Sequence, residues 1–299
     1  MNHTSFSCPV CHHHQFTLVF NARDHYVSGE FYPVNSCRQC GFHMTGNLPP
    51  DDRMDRYYQS DEYISHSDTR KGLFNRMYHT VRNLMLYQKF NIVKKTTGKT
   101  TGKLLDIGAG TGYFLNFAAG KGWGTTGTER SSAARKFARE HWNLDLLPGD
   151  GLFDLPPASF DAITLWHVLE HLPEQDKYWK TFLHLLPEGG SLIIALPNFR
   201  SLDAGHYKEY WAAWDVPRHL WHYAPEHIIR QAGNYGFRLY GMKQLPFDAF
   251  YVSILSEKYK KSKFPLIKGL FYGKISWFGS LIDVRNSSSV IYIFKKQNS

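Results

Sequence analysis

A run of apolar residues long enough to cross a bilayer is missing: no stretch of 18 occurs among the 299 residues, so no spanning helix is expected. The N-terminus also lacks the charged-then-apolar pattern of a secretory leader. Cysteine is scarce. All four cysteines fall in two Cys-x-x-Cys pairs within the first 40 residues, a usage that suits metal binding in a reducing compartment better than disulfides. The expected location is therefore the cytoplasm, with peripheral membrane contact left open. Acids are in deficit, 26 Asp and Glu against 35 Lys and Arg, for a formal net charge of +9. That balance permits an anionic partner: nucleic acid, a phosphorylated or lipid-linked substrate, or a membrane surface. Charge alone does not choose among them. Internal repeats and low-complexity tracts are absent as well. What is present is apolar material for a real core, 42% of residues, in a length that corresponds to about two domains.

The run Leu104-Leu105-Asp106-Ile107-Gly108-Ala109-Gly110-Thr111-Gly112 is the most informative positive feature. A short apolar strand ends in an acid and passes into a glycine-rich turn. A helix follows, with Tyr113, Phe114, Leu115, Phe117 and Ala118 as its apolar positions. Strand, turn and helix make the first unit of a nucleotide-binding α/β fold. The glycines let the backbone approach a ligand where a Cβ would collide. Glu129 closes a second strand, 124–129, and stands 21 residues after Gly108; an acid there accepts hydrogen bonds from ribose hydroxyls. Gly149-Asp150-Gly151 ends a third short strand, 144–147, where Asp150 can accept from an exocyclic adenine amine. Phe160 to Leu172 reads as a buried strand running into His167, Glu170 and His171. Ligands of open α/β sheets sit at such carboxyl ends. A dinucleotide would want glycine at the sixth turn position, to make room for a pyrophosphate, and that residue is Tyr113.

Asp106-x-Gly108-x-Gly110-x-Gly112, Glu129, Gly149-Asp150 and the run from Phe160 to Leu172 resemble the motifs of class I S-adenosylmethionine-dependent methyltransferases of the type 11/12 group. The resemblance covers roughly residues 80–299. It implies an α/β fold with a seven-stranded Rossmann-like sheet, and S-adenosylmethionine as methyl donor. The implied donor-binding residues are Asp106, Gly108, Gly110, Gly112, Glu129, Asp150, Gly151 and His167. It also implies that the last apolar run, 290–294, inserts antiparallel between the fifth and sixth strands.

Around this core, the chain divides into a zinc-ribbon-like module (1–46), a polar linker or lid (47–71) and the main domain (72–299), with a helical insertion at 248–284. Cys8, Cys11, Cys37 and Cys40 form two knuckles separated by 25 residues, able to offer four thiolates to one tetrahedral Zn²⁺. A closed four-thiolate site leaves no open position, so the expected role is structural. Phe16 to Phe20 and Glu30 to Asn35 read as hairpin strands between the knuckles. Similar modules accompany sugar C-methyltransferases and some ribosomal RNA methyltransferases, so the ribbon does not settle the substrate. Residues 72–95 read as a basic amphipathic helix burying Leu73, Met77, Val81, Leu84, Phe90 and Val93. The main domain alternates strands (103–107, 124–129, 144–147, 160–166, 191–196) with helices (112–121, 131–141, 174–186), which predicts a parallel sheet covered on both faces. A helix over 225–235 and a strand over 237–244 follow. The insertion carries Phe250, Ile254 and Leu255 on one helix and a greasy stretch from Phe264 to Val284. It reads as a packed cap, a membrane-surface element or a pocket lining.

Methyl transfer needs an aligned nucleophile and often a base. Two stretches offer one. His171 stands beside Glu170 at the end of the fourth strand, and histidine titrates near neutrality. The second is the ten-residue stretch Trp214 to Tyr223, which supplies His219 as a base and Arg218, His222 and Trp214 as acceptor contacts. The expected acceptor is a small molecule, glycan or lipid-linked compound methylated at oxygen or carbon. The alternative is RNA gripped by the ribbon. Against it, Trp166-His167-Val168-Leu169 stands where an Asn-Pro-Pro-Tyr type motif for nucleobase amino groups would be. Retention of Asp106, Glu129 and Asp150 argues against a non-catalytic scaffold.

Overall fold

The computed structural model describes residues 7–58 and 73–297. The first segment forms strands β1 (Phe16–Arg23), β2 (Phe31–Cys37) and β3 (His43–Thr45). Helix α1 (Leu73–Thr97) opens the second, followed by β4 (Lys103–Ile107), α2 (Tyr113–Ala119), β5 (Gly124–Thr128) and α3 (Ser132–Trp142). Next come β6 (Ala162–Trp166), α4 (Gln175–Leu185), β7 (Ser191–Pro197), α5 (Leu202–Tyr207), β8 (Trp221–His222) and α6 (Pro225–Asn234). The chain ends with β9 (Phe237–Gln244), a helical hairpin of α7 (Asp248–Tyr259) and α8 (Pro265–Ile282), and β10 (Ser289–Lys296).

The main sheet has the order β5-β4-β6-β7-β10-β9. Its first four strands run parallel, and β10 lies antiparallel between β7 and β9. Side chains alternate between faces along each strand. Leu105, Ile163, Leu192, Ile194 and Tyr292 enter one core cluster, while Leu104, Ala162, Ile193, Ala195 and Ile291 enter the other. Burial on both faces explains why these strands read as continuous apolar runs. Each fully buried Leu or Ile contributes roughly 1.5–3 kcal/mol relative to exposure.

The sheet has six strands rather than seven. The expected strand over 144–147 is reduced to a single parallel bridge, Thr128↔Leu147. Asn143 precedes it in a left-handed conformation (φ 54°), and Pro148 follows with no N–H to extend the ladder. Along α1, Phe90 and Val93 are buried as expected and are joined by Leu86 and Ile92, but Leu84 is 55% exposed. The side chains of Leu73 and Met77 lie outside the described residues, as does most of the expected lid over 47–71. The insertion forms the helical hairpin α7–α8.

The smaller sheet has the order β1-β2-β3-β8. Its fourth strand comes from the main domain: His43 pairs with His222 and Met44 with Trp221. Thr45 Oγ1 donates to the His219 carbonyl (2.6 Å). The knuckles rest on α6, where Asn234 Nδ2 donates to the Val10 carbonyl (3.1 Å) and a His227 ring nitrogen to the Cys40 carbonyl (3.0 Å). Packing therefore fuses the module to the segment after β7.

Candidate active site

The carboxyl ends of the parallel strands lie side by side and carry the glycine turn and the acids. After β4 the chain turns through Gly108, Gly110 and Gly112, all at positive φ. A Cβ on Gly108 would stand 2.5 Å from Val168 Cγ2, whereas Gly110 has nothing within 4 Å of the equivalent position. The turn is thus packed at one end and open at the other. Glu129, at the tip of β5, orders this turn: its carboxylate accepts from Gly110 N and from Ser131 N, both at 2.8 Å. Asp150 is exposed in a short 3₁₀ turn (Gly149–Asp154) beside Leu147, with Gly151 next to it. Asp106 is 2% exposed and accepts from Thr164 Oγ1 at 2.6 Å. Burial raises its pKa to about 7, against the opposing pull of Thr164 and Lys89.

His167 closes β6 in a left-handed conformation (φ 59°), an uncommon state for a residue other than glycine and a frequent mark of functional sites. Its Nε2 lies 3.0 Å from Asp248 Oδ2, and its Nδ1 lies 3.5 Å from Glu170 Oε1. Burial opposes its charge, but these two carboxylates prevail and raise its pKa to about 10. His167 is an imidazolium at neutral pH. Glu170 is fully buried, and neither carboxylate oxygen has a hydrogen-bond partner.

Next to Glu170 stand two further histidine rings, both donating from Nδ1. His171 Nδ1 lies 2.9 Å from the Arg218 carbonyl, and His219 Nδ1 lies 2.9 Å from the Ala213 carbonyl. A carbonyl only accepts, so each Nδ1 carries the proton and each Nε2 of a neutral ring keeps its lone pair. The rings meet edge to face with centroids 4.6 Å apart. Burial, then the neighbouring His219, lowers the His171 pKa to about 4. One ligating atom from each of Glu170, His171 and His219 lies within 4.8 Å of the others, a set that can share a proton or bridge a divalent cation. Tyr58, at the end of the described part of the linker, reaches within 3.3 Å of His171 Nδ1.

The rest of the Trp214–Tyr223 stretch turns inward. Arg218 is bidentate to Asp215 through Nε and Nη2, and its Nη1 donates to the Tyr57 carbonyl (3.1 Å). Trp214 Nε1 donates to the Lys208 carbonyl (2.7 Å). His222 pairs with Thr45 Oγ1 (2.9 Å), and burial lowers its pKa well below the usual value. These three side chains, expected at the acceptor, are 8% exposed or less and are spent on the join to the ribbon sheet. The dense polar and aromatic composition that suggested recognition instead solves a burial problem, because each polar atom taken inside needs a partner.

In the ribbon, Cys8 Sγ lies 3.6 Å from Cys40 Sγ, and Cys11 Sγ lies 3.5 Å from Cys37 Sγ. All four sulfurs lie within 4.8 Å of one another, where thiolates around a tetrahedral Zn²⁺ would sit about 3.8 Å apart.

A family profile described as methyltransferase domain matches residues 79–240, more than half of the chain. The chain belongs to the methyltransferase domain family. It is 25% identical over 180 residues to the ubiquinone biosynthesis O-methyltransferase of Idiomarina loihiensis, covering 56% of this chain and 74% of that one. The enzyme of the same name from Glaesserella parasuis is 33% identical over 117 residues, 35% of this chain and 49% of that one. Among solved structures, phosphoethanolamine N-methyltransferase 2 of Haemonchus contortus in complex with S-adenosyl-L-methionine aligns with a TM-score of 0.53. The identity there is 16%, over 95% of this chain and 69% of that one. The cyclase SpnF aligns with a TM-score of 0.50 at 17% identity, over 71% and 82%. Both likenesses are likenesses of fold.

The methyltransferase's cleft fits a cationic donor with an adenosyl group. Glu170 and Asp248, ion-paired to His167, and Asp106 place carboxylates beside the cleft, and the turn at Gly110 leaves open space. Two contributors escaped the sequence reading. Asp248 is the first residue of α7, far along the chain from His167, and no spacing announces the pair. Lys89 lies on α1 with its ammonium 4.6 Å from the centroid of the Trp166 ring. Burial lowers its pKa, and Asp106 and Asp248 oppose that shift. Its only sequence signal is a charge on the otherwise apolar Phe90–Val93 side of the helix.

Proposed function

We propose that this methyltransferase acts on a hydroxyl oxygen of a small or lipid-linked acceptor, with His171 and His219 taking the proton. When bound, S-adenosylmethionine supplies an electrophilic methyl group on a sulfonium. Glu129 and Asp150 hold the adenosyl end by accepting hydrogen bonds. The open turn at Gly110 admits the donor against the backbone. Lys89 offers the cation that a free α-carboxylate requires.

The observation that carries the reading is the convergence of the two imidazoles, each fixed at Nδ1 by a backbone carbonyl, on buried Glu170. A neutral Nε2 can accept a proton, and Glu170 stabilises the imidazolium that results. With the donor bound, the imidazole would take the proton that the acceptor hydroxyl gives up as its oxygen is methylated. The similarity to ubiquinone biosynthesis O-methyltransferases supports oxygen over carbon. Zinc at Cys8, Cys11, Cys37 and Cys40 would hold the ribbon to β8 and so fix the loop that carries His219.

The test is His219→Ala. It is expected to lower kcat about 10²-fold, the usual worth of a positioned general base, with donor affinity by calorimetry near wild type. Unchanged turnover on an identified acceptor overturns the assignment. The acceptor itself is found by incubating host extracts with isotopically labelled donor and locating the label by mass spectrometry. Label on RNA rather than on a hydroxylated metabolite or lipid would refute the acceptor class.

A further inference from the structure

Helix α8 is built inside out for a water-facing helix. Its buried positions are Gly269, Gly273, Ser276 and Ser280. They sit against α7 so closely that a Cβ on Gly269 would lie 2.5 Å from Ile254 Cα, and one on Gly273 2.8 Å from Phe250 Cα. Tyr272 packs inward on His206 and Trp277 is half-buried, but the aliphatic and phenylalanine side chains face outward. Leu266, Ile267, Leu270, Phe271, Ile275 and Phe278 are between 45% and 68% exposed. Eighteen residues of helix span about 27 Å, so the stripe is long as well as wide. Scattered exposed leucines need no explanation, but a continuous apolar face of this length does.

The charge around the stripe has one sign. Lys258, Lys260, Lys261, Lys263, Lys268 and Lys274 are all exposed, and no acid occurs between residues 258 and 282. Among the described residues no helix is long and apolar enough to cross a membrane. An apolar face flanked by lysines, on a helix that does not span, matches the physics of an element lying in the headgroup layer. A second copy of this chain is a poorer occupant. A two-fold pairing of this face would bring lysines of the two copies together, whereas anionic headgroups complement them.

We infer that α8 docks the protein on an anionic lipid surface, with the outward apolar side chains entering the acyl boundary and the lysines meeting headgroup phosphates. The hairpin that bears this face begins at Asp248, which pairs with His167 in the cleft. Docking would therefore bring the cleft to the membrane whichever acceptor it serves. The inference stands apart from the proposed chemistry, because it rests on α8 alone.

The experiment is flotation of the full-length protein with vesicles of phosphatidylcholine containing about one-third phosphatidylglycerol, against phosphatidylcholine alone. Binding to the anionic vesicles is expected to be at least about tenfold stronger and to weaken as salt is raised. The double variant Ile267→Glu/Phe271→Glu should lose at least about tenfold in partition. Lys268→Glu/Lys274→Glu should lose a similar factor, each lysine being worth about fivefold near an anionic leaflet. Both pairs should keep wild-type donor affinity by thermal shift, which separates this result from a failure of the cleft. Three outcomes overturn the inference. One is wild type left behind by anionic vesicles. The second is either folded variant binding them as the wild type does. The third is sedimentation showing a dimer that Phe271→Glu dissociates.

Discussion

His167 and His171 stand four residues apart, yet the fold makes the first charged and the second neutral at neutral pH. Two carboxylates raise His167 to about 10, while burial and His219 lower His171 to about 4. The stability consequences have opposite signs. The His167 contribution is fully present below its unfolded value of 6.5 and is lost as pH rises through 10. The His171 contribution is fully present above 6.5 and is lost as pH falls toward 4. If His171 is the base, kcat/KM should show no acid limb in the ordinary imidazole range and should fall only as pH approaches about 4. A pH–rate profile measured with saturating donor checks this, and a limb near 6.5 would remove His171 from the role. The sequence displayed both histidines but not their difference. What separates them is Asp248 on one side and His219 on the other, each brought close by the tertiary fold. Arg218, His222 and Trp214 teach the same lesson in reverse: their types invite recognition, and their surroundings consume them.

Among the elements, those defined by local pattern appear where the sequence expects them. Strand β4 occupies 103–107 and β9 occupies 237–244, because a continuous apolar run or a glycine-flanked alternation fixes them locally. The strand over 144–147 fails because neighbours at both ends, Asn143 and Pro148, cut short its pairing beside β5. The α7–α8 hairpin was readable as helical from its composition, but not which face of α8 turns inward. Small residues at 269, 273, 276 and 280 decide it, since only they allow the helix axes to approach. Gly269→Val should therefore destabilise the protein by about 1–3 kcal/mol through overpacking. Urea denaturation followed by circular dichroism measures it, and a change within about 0.5 kcal/mol, as for a surface substitution, would contradict the packing described here.

At the scale of the whole molecule, the ribbon and the catalytic domain share a sheet. The β3–β8 pairing, Thr45 against His219 and Leu220, and α6 against both knuckles tie the cysteine cluster to the segment that holds the proposed base. If the four cysteines hold Zn²⁺, as their clustering allows, a chelator that strips it should lower the thermal midpoint and kcat together while leaving the donor dissociation constant near its starting value. Calorimetry and activity on the same chelated sample, with metal content measured, test this; intact turnover after complete metal loss would show the ribbon to be dispensable to the site. The sequence by itself determined the parallel α/β core, the glycine turn with its acids at the strand tips, and the four-cysteine module, because each is written in residues close together along the chain. The tertiary structure alone decided that β8 completes the ribbon sheet, that Asp248 charges His167, and that two distant histidines meet over Glu170. Those outcomes depend on which segments pack together, and burial and pairing set their energies only once the chain has closed.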